Sequence, residues 1–261
     1  MEKELLLLEK TLLFMKELGI PEALALRARD QYLAGVYGRP KAQDDNGADV
    51  LIRRLSAAVE SRESGAWKRI PEDIWLATMR CFPRFISEYR RSYGRDGFDR
   101  GGWTVRQAGC VLFRIGELEY ELWEENGTRA VSLHIPSDAR LEPAPLNDSV
   151  RRSRGFLAEY YPEWQSLPMV CESWLLSPKL TDLLPASSRI IHFRNAFDLI
   201  RTDPDDPAAI EWVFHVAEGQ RASMRAENLS EDTSLQRGMK ALLLSGENPG
   251  SARGLLARAF E

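Results

Sequence analysis

The spacing of apolar residues divides this chain into two parts. Over residues 1–92 it runs at helical period. Leu5, Leu8, Leu12, Met15 and Leu18 step by three or four and make one face of a helix. Gly19 ends that helix, and Pro21 opens a second one through Ala23–Ala28 towards Leu33. The polar stretch Tyr37–Gly47 reads as a loop. Val50, Leu51, Leu55 and Val59 restore helical period over Asp49–Ser61. Pro71-Glu72-Asp73 starts another helix, which buries Ile74, Trp75, Met79 and Phe82 before Pro83 breaks or kinks it. Gly94, Gly97, Gly101 and Gly102 crowd the next stretch, so residues 93–104 are expected to form a linker.

From residue 105 the period moves towards two. Strands are expected at Cys110–Ile115, Leu118–Glu124 and Arg129–Ile135, with Asn126-Gly127 as a two-residue hairpin turn. A proline-containing loop, Pro136–Leu146, leads to a helix over Asp148–Tyr161. Met169–Leu175 is apolar on both sides, as in a central strand. Lys179–Leu184 reads as a helix, Ser188–Arg194 as a strand and Ile210–Val216 as another. Ser234–Leu244 is helical, introduced by Ser230-Glu231-Asp232-Thr233, and the glycine-containing tail after it is expected to be irregular. The expected class is therefore α+β: a mixed sheet flanked by helices over residues 105–261, preceded by an all-helical domain.

Composition narrows the function classes. The 261 residues include 44% hydrophobic and 28% charged positions, ordinary for a globular chain with a sizeable core. Net charge is −4, with acidic and basic residues well mixed, so no nucleic-acid footprint is present and no nucleic-acid partner is expected. Cys81, Cys110 and Cys171 are odd in number and widely spaced, which points to a reducing compartment rather than a disulfide framework. With no Cys-x-x-Cys pair and three scattered histidines, no metal site is expected. The leucine-rich start is interrupted by Glu4, Glu9 and Lys10, and no apolar run approaches the ~20 residues of a membrane span. The expectation is a cytoplasmic protein with no membrane partner. Its first helix would serve the core or an oligomer contact, such as a homodimer.

Three antiparallel strands, a helix and then a strand–helix–strand unit resemble the GNAT superfamily of N-acetyltransferases. A narrower resemblance is carried by Leu112-Phe113-Arg114-Ile115-Gly116, Leu133-His134-Ile135-Pro136, Cys171-Glu172-Ser173-Trp174-Leu175-Leu176 and Thr233-Ser234-Leu235-Gln236-Arg237. These words look like those of bacterial acyltransferase-domain proteins that join a helical N-acyltransferase N-terminal domain to a GNAT-like C-terminal domain. The resemblance implies two splayed strands, here Arg129–Ile135 and Met169–Leu175. An acyl-CoA co-substrate would run between them, bonded to strand-edge amides. One departure is plain. The family's glycine-rich pyrophosphate loop is replaced by Pro136-Ser137-Asp138-Ala139-Arg140-Leu141-Glu142-Pro143-Ala144-Pro145, in which prolines remove amide donors and carboxylates repel phosphate. Arg140, Arg151, Arg152 and Arg154 could compensate as charges.

Candidate roles follow from the resemblance, each beside a plainer reading. His134, near the end of the fourth-strand equivalent, would act as general base, or would be a half-buried histidine bonded within the sheet. Glu172 would bind substrate or move a proton, or would pair with an arginine such as Arg194. Cys171 would be a nucleophile or a small buried hydrophobe. Ile135, Arg140 and Ser173 would contact the donor. Arg194, Gln236 and Arg237 would contact the acceptor, although Gln236 also fits a capping box with Thr233. The function implied is transfer of an acyl group from acyl-CoA to an amine or another small-molecule acceptor. The alternatives are a non-catalytic GNAT-like module that holds another ligand or a protein, and a scaffold that assembles through its helical domain.

Overall fold

The computed structural model describes residues 1–261, which divide into two compact units, Met1–Arg114 and Ile115–Glu261. The first unit is helical: α1 Glu2–Glu17, α2 Glu22–Val36, α3 Ala48–Ser64, α4 Glu72–Met79, α5 Cys81–Tyr93 and α6 Val105–Ala108. Its core gathers the apolar stripe of α3 (Leu51, Ile52, Leu55), with Met15 of α1 and Leu24 and Ala28 of α2. Fully buried Trp67 makes edge contacts with Trp75 and Phe113 and donates its indole N–H to the Gln107 carbonyl (2.8 Å). The break between α4 and α5 falls at Arg80 rather than at Pro83. Pro83 thereby lies in the first turn of α5, where its missing N–H costs nothing. The glycine-rich stretch 93–104 lies inside this unit, with Phe98 buried and stacked on Phe82. No helix of the chain is long and apolar enough to cross a membrane.

The remaining elements are β1 Leu112–Ile115, β2 Leu118–Glu125, β3 Thr128–His134, α7 Pro143–Tyr160, β4 Met169–Ser173, α8 Leu180–Leu183, α9 Arg189–Asn195, β5 Phe197–Asp203, α10 Ala209–Phe214, α11 Ser234–Leu244 and β6 Ser251–Leu256. The six strands form one sheet in the order β1-β2-β3-β4-β6-β5. β2 and β3 are antiparallel, β3 and β4 parallel, and β6 runs antiparallel to both β4 and β5. This is the expected α+β arrangement, a mixed sheet with flanking helices after a helical region.

Several local readings are corrected. Ser188–Arg194 is not a strand: Ser188 Oγ accepts from the Ile190 N–H and caps α9. Ile210–Val216 is not a strand either, because Ala209, Ile210 and Val213 are buried at helical spacing along α10. A short apolar run does not distinguish the two periods by itself. The strands of this half are instead β5 and β6, both with charged residues facing outward. The tail expected to be irregular supplies β6, which lies between β4 and β5. Gly254 belongs at its centre, since a Cβ there would come within 2.9 Å of Phe197 Cβ. Helix α7 starts at Pro143, earlier than Asp148, because proline tolerates the first helical turn.

One serine ties α7 to the sheet. Ser149, fully buried, donates its hydroxyl to the Ile115 carbonyl and accepts from the Leu118 N–H (3.3 Å). Its single proton being used, the Tyr120 hydroxyl must donate to it (2.8 Å). Gly116, at φ +65°, makes the turn between β1 and β2 and lies so close that a Cβ would be 3.0 Å from Ser149 Cβ. Replacing Ser149 with Ala leaves buried groups on both strands without their partner, at a cost of about 1–3 kcal/mol. The melting transition of the sheet unit is expected to fall by about 2–4 °C per kcal/mol lost. Calorimetry on the full chain reads this directly, and an unmoved transition would mean the turn does not depend on Ser149.

Candidate functional site

The sheet is interrupted at its middle. β3 and β4 are in register at Val131↔Met169, Ser132↔Val170 and Leu133↔Cys171, and the pairing stops there. Each strand nevertheless continues with its outer neighbour. β3 keeps β2 through His134↔Glu119, while β4 keeps β6 through Glu172↔Arg253 and Ser173↔Ala252. Beyond Leu133 and Cys171 the two inner edges therefore part. Strand edges that no longer bond each other can take an extended, amide-bearing ligand as an added strand.

The register also sorts side chains by face, since strands alternate with period two. Glu119 and Glu121 of β2, Ser132 and His134 of β3, Glu172 of β4, Arg253 of β6 and Arg201 of β5 share one face. His134 Nε2 lies 2.7 Å from Glu121 Oε2, with the two side chains 18% and 13% exposed. Glu119, directly across from His134, is only 2% exposed. Glu172 is exposed and accepts from Arg201 Nη2 (3.0 Å). The expected pairing with Arg194 is thus corrected. Glu172 lies opposite Arg253, and Arg253 opposite Arg201, so the ion pair reaches across one strand to the next. Arg194 is on α9 and half-buried, and its Nε has no hydrogen-bond partner.

The other candidates fall in three places. Ile135, the first residue past β3, and Ser173, the last of β4, sit at the open ends of the parting strands. Ser173 Oγ accepts from the Leu175 N–H (3.1 Å), which turns the chain out of the strand. Arg140 is held by Glu117: its backbone N–H and Nε reach the carboxylate at 2.9 Å and Nη2 at 2.6 Å. That carboxylate holds the guanidinium above its ordinary pKa, while the group itself stays largely exposed. Gln236 and Arg237 begin α11. Gln236 completes a capping box with Thr233 and donates Nε2 to the Val213 carbonyl (3.1 Å), and Arg237 donates to the Glu231 carbonyl (2.7 Å). Helix α11 belongs to a small apolar cluster with α8, α9 and α10 around Leu180, Ile191, Val213 and Met239.

The start of α7 offers few amide donors. Pro143 and Pro145 occupy the first and third helical positions, which leaves Ala144 as the one N–H donor among the first three. The next amide, of Leu146, is taken by the Glu142 carbonyl (3.3 Å). Glu142 itself pairs with Arg189 Nη1 (2.9 Å). Arg140, just before this helix start, and Arg189, paired with Glu142, each already face a carboxylate. Arg154 is committed elsewhere, donating to the Gln165 and Leu167 carbonyls, and Arg151 pairs with Asp148. No group of three or more His, Cys, Asp or Glu residues is placed to hold a metal ion.

Two partners escaped the sequence reading: Glu121 beside His134 and Arg201 beside Glu172. A signal for the first was present. The two-residue turn at Asn126-Gly127 fixes Glu125↔Thr128, and counting back sets Glu119 opposite His134 with Glu121 on the same face. No such count reaches Arg201, because β5 is joined to β4 only through β6.

The family model described as GNAT-like C-terminal domain matches residues 112–256, and that described as N-acyltransferase N-terminal domain matches residues 21–110. A crystal structure of an acyltransferase in complex with decanoyl-CoA is 25% identical, with a TM-score of 0.72 over 90% of this chain and 76% of its own. An acyltransferase in complex with decanoyl-CoA and teicoplanin is 22% identical, with a TM-score of 0.77 over 93% of this chain and 86% of that one. A mutant acyltransferase in complex with octanoyl-CoA is 21% identical, with a TM-score of 0.79 over 96% and 88% of the two chains. A search of curated proteins found no match.

Cys171 has the wrong surroundings for a nucleophile. It is fully buried, and burial, with Glu172 adding to it, pushes its thiol far up from the ordinary value, so the reactive thiolate is withheld. All three cysteines are buried, and none forms a disulfide. A disulfide reagent is therefore expected to label none of them in the native protein and all of them in denaturant. Raising the pH through the ordinary thiol range should not speed labelling of Cys171, because its proton is held above that range. Rapid native labelling would contradict the burial.

Proposed function

We propose an activity from one premise: the chain belongs to the family defined by the GNAT-like C-terminal domain. The activity is transfer of an acyl group from an acyl-CoA thioester to the amine of a small acceptor, carried by the unit Ile115–Glu261. The observation that carries it is the parting of β3 and β4 beyond Leu133 and Cys171, with His134 at the open end of one strand and Glu172 at the other. The similar solved acyltransferases support the donor class, because those proteins hold octanoyl-CoA or decanoyl-CoA. A teicoplanin complex among them supports an acceptor that is a small molecule.

In this reading the pantetheine amides bond to the free edges around Ile135 and Glu172–Ser173. The donor's phosphates meet arginines rather than a nest of amides, with Arg140 and Arg189 exchanging their carboxylates for phosphate oxygens. The acceptor nitrogen attacks the thioester carbonyl and the new C–N bond forms. His134 takes the amine proton at Nδ1, the C–S bond breaks, and the departing CoA sulfur receives a proton in turn. A cytoplasmic location, where CoA thioesters are available, fits this chemistry, and the reaction as written calls for no metal.

The test is CoA release and product formation across acyl-CoAs of increasing chain length, with a panel of amines. Replacing His134 with Ala is expected to lower kcat by about 10²–10⁴-fold while the fold and donor binding persist. A ligand at ~100 times its Kd should stabilise the protein by about 2.7 kcal/mol. If no acyl-CoA raises the melting temperature, the second reading, a GNAT-like module holding a different ligand, takes over. The proline-blocked start of α7 is the observation that favours it.

A further inference from the structure

We infer that Glu121 is a positioning residue that selects the working tautomer of His134. The inference rests on the acyl-transfer reading of this site and deepens it. Neutral imidazole carries its proton on either nitrogen, and the hydrogen bond made by one nitrogen decides which. A carboxylate only accepts. Glu121 Oε2, at 2.7 Å from Nε2, therefore places the proton on Nε2 and the lone pair on Nδ1. Nδ1 is then the nitrogen that accepts a proton from the acceptor amine.

The geometry gives this contact weight. Glu121 lies two residues along β2 from Glu119, which is directly opposite His134, so the contact is the same-face diagonal that a glutamate spans easily. Both side chains are nearly shielded from water, which strengthens the bond and makes an unpaired carboxylate costly. When His134 becomes an imidazolium during the reaction, the Glu121 charge already faces it. Glu119, buried directly opposite, adds a second acidic side chain on the same face.

Two measurements test this, one of which needs no substrate. Nitrogen-15 NMR of the imidazole should find His134 almost wholly in the Nε2–H form in the wild-type protein, and in Glu121→Ala the Nδ1–H share should rise towards that of a free neutral imidazole; an unchanged tautomer ratio in Glu121→Ala would overturn the inference. A wild-type His134 found mainly in the Nδ1–H form would overturn the inference, whatever the enzyme's activity. In turnover, Glu121→Gln keeps the shape and removes the charge. It should lower kcat by at least about 10-fold, within the about 10²–10⁴-fold that the base contributes, with KM for donor and acceptor little changed. Glu121→Asp should recover part of the loss. Unchanged kcat in Glu121→Gln, alongside inactivity of His134→Ala, would remove Glu121 while leaving the base in place. Full activity of His134→Ala would instead sink the base reading itself.

Discussion

The short parallel pairing between β3 and β4 is the constraint on which this site depends. In register at Val131↔Met169, Ser132↔Val170 and Leu133↔Cys171, it joins the two halves of the sheet. A longer pairing would use up the strand edges that stay open beyond Leu133 and Cys171. Buried residues hold this junction, with Val131, Leu133, Met169 and Cys171 all inaccessible. Only after the apolar positions are used up do His134 and Glu172 appear, at the same step on both strands. The change from buried apolar to ionisable residues coincides with the end of the ladder.

Around the junction the acidic side chains each hold a partner. Glu121 accepts from His134, and three ion pairs join Glu172 to Arg201, Glu117 to Arg140 and Glu142 to Arg189. Exposed ion pairs of this kind contribute little to stability. In the proposed reaction their effect is competitive. A phosphate arriving at Arg140 or Arg189 would have to displace a carboxylate, so charge alone would yield less net attraction than an unpaired arginine. On that reading, part of the selectivity for the donor shifts to its uncharged portion.

Much of this architecture was legible before the fold was known. The hairpin at Asn126-Gly127, the alternation in β2 and the apolar strand at Met169 locate β2, β3, β4 and His134, while the parting of β3 from β4 was expected from the family resemblance alone. What was not legible has physical causes. Ile190–Phe193 and Trp212–Phe214 are short apolar runs whose period is ambiguous, and the capping by Ser188 and the buried spacing of Ala209, Ile210 and Val213 decided for helix. Ser251–Leu256 has a glycine and an arginine among few large apolar residues, so its central place comes from packing beside Phe197 rather than from its own pattern. The pairing of Glu172 with Arg201 depends on that same strand and could not be read without it. Gln236 was legible as a cap, and its bonds to Thr233 are those of one.

The position of β6 has a consequence for how the molecule is assembled. β4 ends at Ser173 and β6 begins at Ser251, and in space β6 fills the gap between β4 and β5. During synthesis β3 can pair with β2 as soon as the hairpin emerges. β4 must wait with one bare edge, and β5 with no partner, until the last strand in the sequence is made. Such long-range closure is slow, because loop entropy is lost before the contacts that compensate for it form. An unpaired β4, apolar on its buried face, is a template for the wrong chain. The late strand thus sets the interval over which a nascent molecule exposes an edge open to aggregation.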